Sequence, residues 1–169
     1  QLSASAAGAD RNSFPTPGAA VAASFPTVER ATLSNGLKLV VAQRTGVPVV
    51  NFTLLLDTGV PEDFARIPPG TGSFAMSLLD EGTERRNREQ IAETLGLLGA
   101  SLQTGGGDET GYVTLSALKP GLGDALALYA EVVMRPAFAQ KELERVKAQW
   151  IAAIATAKQD PGRAASRVL

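Results

Sequence analysis

The sequence predicts an α+β fold: a two-layer, largely antiparallel sheet covered by helices on one face. Three observations carry that expectation. Asn35-Gly36 stands between two short apolar runs where a hairpin turn belongs, Thr110 to Leu118 alternates apolar with polar side chains, and Gln140 to Gln159 repeats apolar residues at helical spacing.

In chain order, Thr27 to Leu33 and Leu37 to Gln43 are the arms of the predicted hairpin around Ser34-Asn35-Gly36. Val47 to Asp57 is a third strand, apolar nearly throughout, expected in the middle of a sheet with at least one face covered. Thr58 to Gly72, with three prolines and three glycines, is a loop. A short helix over Ser73 to Leu79 sets Phe74, Ala75, Leu78 and Leu79 on one face and ends at Glu81-Gly82-Thr83. Asn87 caps a helix to about Leu98, along which Ile91, Leu95 and Leu98 recur, and Gly99 stops it. Ala100 to Thr104 and Thr110 to Leu118 form a strand pair joined by Gly105-Gly106-Gly107-Asp108, the second strand setting Tyr112, Thr114 and Ser116 against Val113, Leu115 and Ala117. A helix from about Gly123 to Met134 shows Leu126, Tyr129 and Val133 on one face, and Arg135-Pro136 ends it. The last helix, Gln140 to Gln159, aligns Leu143, Val146, Trp150, Ile154 and Ala157, with Trp150 as a core anchor.

A length of 169 residues suits one ordinary domain or part of a larger one, and 44% hydrophobic residues can bury its core. Sixteen basic residues against seventeen acidic ones leave no electrostatic footprint for nucleic acid. The chain has no Cys and no His. Thiol nucleophiles, disulfides, thiolate metal sites, the usual general base and the commonest zinc ligand are thereby removed, so a metal would need oxygen ligands alone. No run approaches the roughly 20 apolar residues of a membrane span. Residues 1–26, rich in Ala, Ser, Gly and Pro, read as a flexible leader before a domain over 27–169. An initial Gln points to removal of something upstream, either a cleaved secretory signal or a boundary of the piece. The first of these predicts a periplasmic or secreted, soluble protein.

Individual motifs are weak. Gly70-Thr71-Gly72-Ser73-Phe74-Ala75 matches a dinucleotide fingerprint by letters, but a proline-rich loop separates it from the preceding strand, where the fingerprint needs direct contact. Ser73 and Ser77 lie one turn apart, yet without His only a lysine could activate a serine, and Lys119 has no visible reason to be near. Asp80, Glu81 and Glu84 lack calcium-loop spacing and read as solvated. The triglycine with Asp108 has the makings of an anion cradle, though a strand connection explains it better.

The order of landmarks is more specific. LSNGLKLVVAQRTGVPVV, LLLDTG, a helix ending LLDEGT, ETLGLLGASLQTGGGDET, LSAL, and RPAFAQKELERVKAQWIAAIATAKQDP resemble, from about Val28 onward, the N-terminal domain of the insulinase-like M16 zinc peptidases. The resemblance implies an M16/LuxS-like metallohydrolase fold, here partial, with the chain expected to be a fragment that lacks the C-terminal half.

Active members carry H-x-x-E-H on the helix before Gly-Thr, two zinc ligands with the Glu activating water. Counting back from Gly82-Thr83 puts those positions on Ser73, Met76 and Ser77. The remaining ligand, a Glu of the long helix, falls on Ala153, and a further Glu position falls on Val146. The resemblance therefore implies a chain with no catalytic or metal-binding residues of its own. It would be the non-catalytic subunit of a heterodimeric peptidase, helping a homologous, zinc-bearing partner to enclose an unfolded peptide, with self-association expected of the fragment. Two rivals stand beside it: an active peptidase borrowing ligands from elsewhere, and a structural subunit like the core subunits of a respiratory complex.

Overall fold

The computed structural model describes residues 18, 25–44, 46–58, 68, 70–106 and 110–159. It forms two compact units, Gln1–Gly46 and Val47–Leu169. In the first, β1 (Val28–Thr32) and β2 (Lys38–Ala42) pair antiparallel from Val28 opposite Ala42 to Thr32 opposite Lys38. Gly36, at φ 87°, donates its N–H to the Leu33 carbonyl, and Asn35 Oδ1 accepts from the Leu37 N–H, so the expected Asn-Gly turn is the one that forms.

The second unit is built on a three-stranded antiparallel sheet in the order β3 (Val49–Asp57), β5 (Thr110–Leu118), β4 (Ser101–Gly106). β5 takes the centre because its alternation gives it a fully apolar face. Val113 and Leu115 are wholly buried and Ala117 nearly so, while Tyr112 stays exposed on the opposite face. β3 does not lie in the middle, as its apolar run predicted; it is the neighbour of β5 alone in this sheet. Along it Phe52, Leu54 and Leu56 are half-buried while Leu55 is 68% exposed, so a run of apolar letters conceals a one-sided strand.

Helix α3 (Leu122–Met134) covers the apolar face of β5 with Ala125, Leu128, Tyr129 and Val132, spaced i, i+3, i+4, i+7. The predicted face of Leu126, Tyr129 and Val133 is therefore rotated: Tyr129 is buried, but Leu126 and Val133 only flank the core. Tyr129 donates its hydroxyl to the Val113 carbonyl at 2.9 Å and meets Phe52 edge-to-face at 5.2 Å, tying α3 to both β5 and β3. Burial holds the Tyr129 hydroxyl above its ordinary pKa. Each fully buried aliphatic side chain here contributes about 1.5–3 kcal/mol.

Helix α2 (Arg88–Leu98) has the predicted ends: Asn87 and Gln90 form a reciprocal capping box, and Gly99 closes it at φ 58°. The first helix, α1 (Thr71–Met76), starts and ends earlier than expected; a 3-10 turn over Leu79–Glu81 follows, and the core takes Met76, Leu78 and Leu79. Helix α4 (Gln140–Gln159) has the predicted limits but not the predicted burial. Of its stripe only Val146 and Ala157 are buried; Ile154 is exposed and Trp150 sits at 36%, so Trp150 is not a core anchor.

Two glycines illustrate opposite roles. A Cβ on Gly72 would stand 2.3 Å from the Thr58 carbonyl oxygen, a backbone atom that cannot swing away, whereas one on Gly96, in α2, would meet nothing within 4 Å. Gly72→Ala is expected to cost about 1–3 kcal/mol through overpacking and Gly96→Ala to add about 0.5–1 kcal/mol through helix propensity, both read from urea unfolding midpoints.

Candidate functional site

The three positions singled out on the short helix are placed by its two ends. Gly70, at φ 86°, turns the chain into α1, and Thr71 donates both its N–H and its hydroxyl to the Pro68 carbonyl. At the other end the Ser77 and Leu78 N–H groups are accepted by Ser73 and Ala75, and Gly82, at φ 156°, breaks the turn that follows. Ser73 and Ser77 are half-buried. The Ser77 hydroxyl is turned back on its own helix, donating to the Phe74 carbonyl at 2.7 Å. Met76 points the other way, into the core at 5% exposure, where its side chain lies over Gly106 and Gly111 of the β4–β5 pair. Only glycines leave room there: a Cβ on Gly111 would come within 2.9 Å of the Met76 sulfur.

Ala153 is exposed on α4, and Val146, at 4% exposure, is two turns before it. Val146, Trp150 and Ala153 fall at i, i+4 and i+7, one face of the helix. That face meets α1 through an edge-to-face contact of Trp150 with Phe74, ring centroids 5.2 Å apart. Glu81 adds a second tie. It accepts from Arg145 of α4 and, at 3.3 Å, from Arg88 of α2, while Arg145 Nε also donates to Glu142 at 2.7 Å. Arg145 thereby holds the Glu142 carboxyl below its ordinary range, and Glu142 with Glu81 raises the Arg145 guanidinium.

The other sequence candidates part company. Lys119 is exposed past the far end of β5, eight residues of strand beyond Gly111, roughly 26 Å. Gly107 and Asp108 lie outside the described residues, while Gly105 and Gly106 belong to β4. The acidic trio is neither a cluster nor solvated as a whole. Asp80 is half-buried and accepts from the Thr104 hydroxyl at 3.1 Å, Glu81 is salt-bridged, and only Glu84 is exposed. Among the described residues no group of three or more Asp, Glu, His or Cys is arranged to hold a metal. Burial raises the Asp80 pKa, which the Thr104 hydrogen bond only partly offsets.

One buried hydrogen-bonded cluster escaped the sequence reading. Thr83, 6% exposed, donates its hydroxyl to Glu131 at 2.5 Å and accepts the Arg85 and Arg86 N–H groups at 3.2 and 2.9 Å; Arg86 in turn pairs with Glu131. The Thr83 hydroxyl foremost, then Arg86, holds the Glu131 carboxyl below its ordinary value. Glu131 lies 48 residues along the chain from Thr83, and the local signal is only a Gly-Thr followed by two arginines.

A short helix between a glycine turn and a Gly-Thr clamp, in direct contact with a long helix and packed beside a three-stranded antiparallel sheet, defines an α+β domain. Residues 39–167 match the insulinase (peptidase family M16) sequence family, and the chain belongs to that family. Among solved structures it is similar to the inactive domain of a peptidase M16 from Pseudomonas fluorescens, at 28% identity and a TM-score of 0.76 over 82% of this chain and 34% of that one. A protease from Helicobacter pylori shares the fold at 17% identity and a TM-score of 0.62, over 75% of this chain and 31% of that one. The chain thus spans about a third of the length of each.

Asp80→Asn is expected to raise thermal stability at pH 7. A carboxyl whose folded pKa lies above its unfolded value destabilises the fold increasingly as pH rises above the unfolded value and fully above the folded one, and an amide removes the cost. The gain should vanish below the ordinary value of 3.8, which melting curves across pH check. Thr83→Val has the opposite profile. It strips the acceptor from two N–H groups and a donor from Glu131, and is expected to cost about 1–3 kcal/mol at pH 7. Glu131 is depressed, so the stability it contributes is complete above 4.5 and lost as pH falls through its folded value, and the measured cost should shrink there.

Proposed function

We propose that this chain is a non-catalytic subunit of a heterodimeric M16 zinc peptidase, helping to form the peptide-binding chamber of a homologous, metal-bearing partner. The observation that carries the proposal is the chemistry at four positions. Ser73, Met76 and Ser77 stand where active members carry H-x-x-E-H, and Ala153 where they carry the remaining Glu. Two hydroxyls, a thioether and a methyl group do not fit a catalytic zinc, which takes imidazole nitrogen and carboxylate oxygen, and a Met accepts no proton from water. The local geometry supports the same reading. The Ser77 hydroxyl is engaged by the Phe74 carbonyl, Met76 is packed into the core, and Val146 is buried as an apolar residue. The similar domain from Pseudomonas fluorescens, described as inactive, is in keeping with it.

In this reading the partner contributes the zinc, the general base and the cleavage, and an unfolded peptide is held between the two chains. This chain binds no cofactor. No helix among the described residues is long and apolar enough to cross a membrane. A periplasmic or secreted location belongs to the same proposal.

The direct test is reconstitution. The chain alone should cleave no peptide and bind no stoichiometric zinc by calorimetry, and it should raise the peptidase activity of an H-x-x-E-H subunit. Micromolar zinc binding by the isolated chain would overturn the proposal. The register is tested by Ser73→His, Met76→Glu, Ser77→His and Ala153→Glu together. The quadruple variant is expected to gain measurable zinc affinity but little or no activity, because Val146 still offers no carboxylate. A folded quadruple variant without zinc affinity would show that these four positions are misassigned.

A further inference from the structure

Between α2 and α3, on their outer side, runs an open groove of about 660 Å³ that the α1–α4 face does not use. Gly121, just before α3, lies beside Leu98 at the end of α2, while Glu131 near the end of α3 meets Arg86 just before α2. The two helices are therefore antiparallel, and the groove has two distinct ends. One end carries Arg85, Arg135 and Met134; the other carries Leu97 and Asp124.

Two features mark this groove as incomplete. Among the described residues of the second unit, Leu97 and Met134, 83% and 77% exposed, are the most exposed large apolar side chains. Among the described residues of that unit, Arg86, Arg88 and Arg145 are ion-paired, and Arg85 and Arg135, the arginines left without an ion pair, both line the groove. The reason is local: Glu131, the carboxylate beside them, is already taken by Thr83 and Arg86. Asp124, in the first turn of α3, is likewise without an ion pair.

A surface with a basic end and an acidic end, each carrying one exposed apolar side chain, complements itself under a twofold rotation. We infer that the groove docks a second copy of this chain in an isologous contact. Turning one copy end for end sets Asp124 of each against Arg85 and Arg135 of the other, and Leu97 of each against Met134 of the other. Both arginines then gain a carboxylate, and both exposed apolar side chains leave water. The contact lies away from α1 and α4 and does not depend on the proposed peptidase role. A surface this small and partly polar supports a weak, salt-sensitive dimer rather than an obligate one.

Sedimentation velocity on the whole chain at rising concentration tests the inference. A reversible dimer in the micromolar range that weakens with added salt is expected. Leu97→Ser with Met134→Ser should weaken it by about tenfold or more, and so should Arg85→Glu with Arg135→Glu, or Asp124→Arg, each by setting like charges against each other. All five side chains are on the surface, and unchanged circular dichroism would establish that the variants fold. The decisive sample mixes the Arg85→Glu/Arg135→Glu protein with the Asp124→Arg protein. The inferred contact requires that the mixture regain a dimer, since both of its charge clusters are then complementary, one reversed and one native, while each protein alone stays monomeric. A monomeric parent chain, a dimer indifferent to these substitutions, or a mixture that regains nothing would each overturn the inference.

Discussion

The contact between Phe74 and Trp150 carries more of this architecture than its size suggests. Helix α4 runs for 20 residues yet buries only Val146 and Ala157, so it is not held by a broad apolar stripe. An edge-to-face aromatic pair contributes about 0.5–1.5 kcal/mol beyond the area it buries, and a partly exposed ion pair such as Arg145 with Glu81 adds less than that. These modest ties fix which face of α4 looks at α1. With them in place, Ala153 shares a helix face with Trp150 while Ser73 and Ser77 flank Phe74. Without them only Val146 and Ala157 would set the rotation of the long helix.

Packing also bears on which side chain position 76 accepts. The position next to Gly106 and Gly111 is a poor place for a carboxylate, because burial penalises the charged form by several kcal/mol unless a metal or a cation compensates it. A methionine there faces no such penalty, and its flexible thioether fills an irregular gap over bare glycine backbone. Thr83 and Glu131 sit just beyond the α1 turn and keep their full hydrogen bonding. The hydrogen bonds of Thr83 and Glu131 are thus separate from the packing of Met76 and from the Ser77–Phe74 hydrogen bond.

Much of the fold was legible because local rules and tertiary demands agreed. The Asn87 capping box, the Gly99 stop and the alternation along β5 are short-range signals that packing has no reason to override. The misreadings share one cause, which is that an apolar letter does not say what covers it. Leu55 in β3, Trp150 and Ile154 in α4, and the face of α3 all required knowing which neighbour arrives from far along the chain. The candidate site was assigned from the order of landmarks around it and not from its own residues, since two serines, a methionine and an alanine announce no chemistry. The Thr83–Glu131 link joins a loop to a helix 48 residues on, and no periodicity points to it.

The turn from Gly82 to Asn87 connects the two faces of the second unit. On one side it leads from Glu81, which holds Arg145 and so the placement of α4, and on the other it presents Arg85 and Arg86 to the groove between α2 and α3. Thr83 fixes this turn by accepting two of its N–H groups and by engaging Glu131, and that engagement is what leaves Arg85 and Arg135 without a carboxylate. A single buried hydroxyl therefore supports the geometry of the α1–α4 face and also creates the surplus positive charge of the outer groove. Thr83 holds both faces at once, so its loss would be felt in folding and in association together.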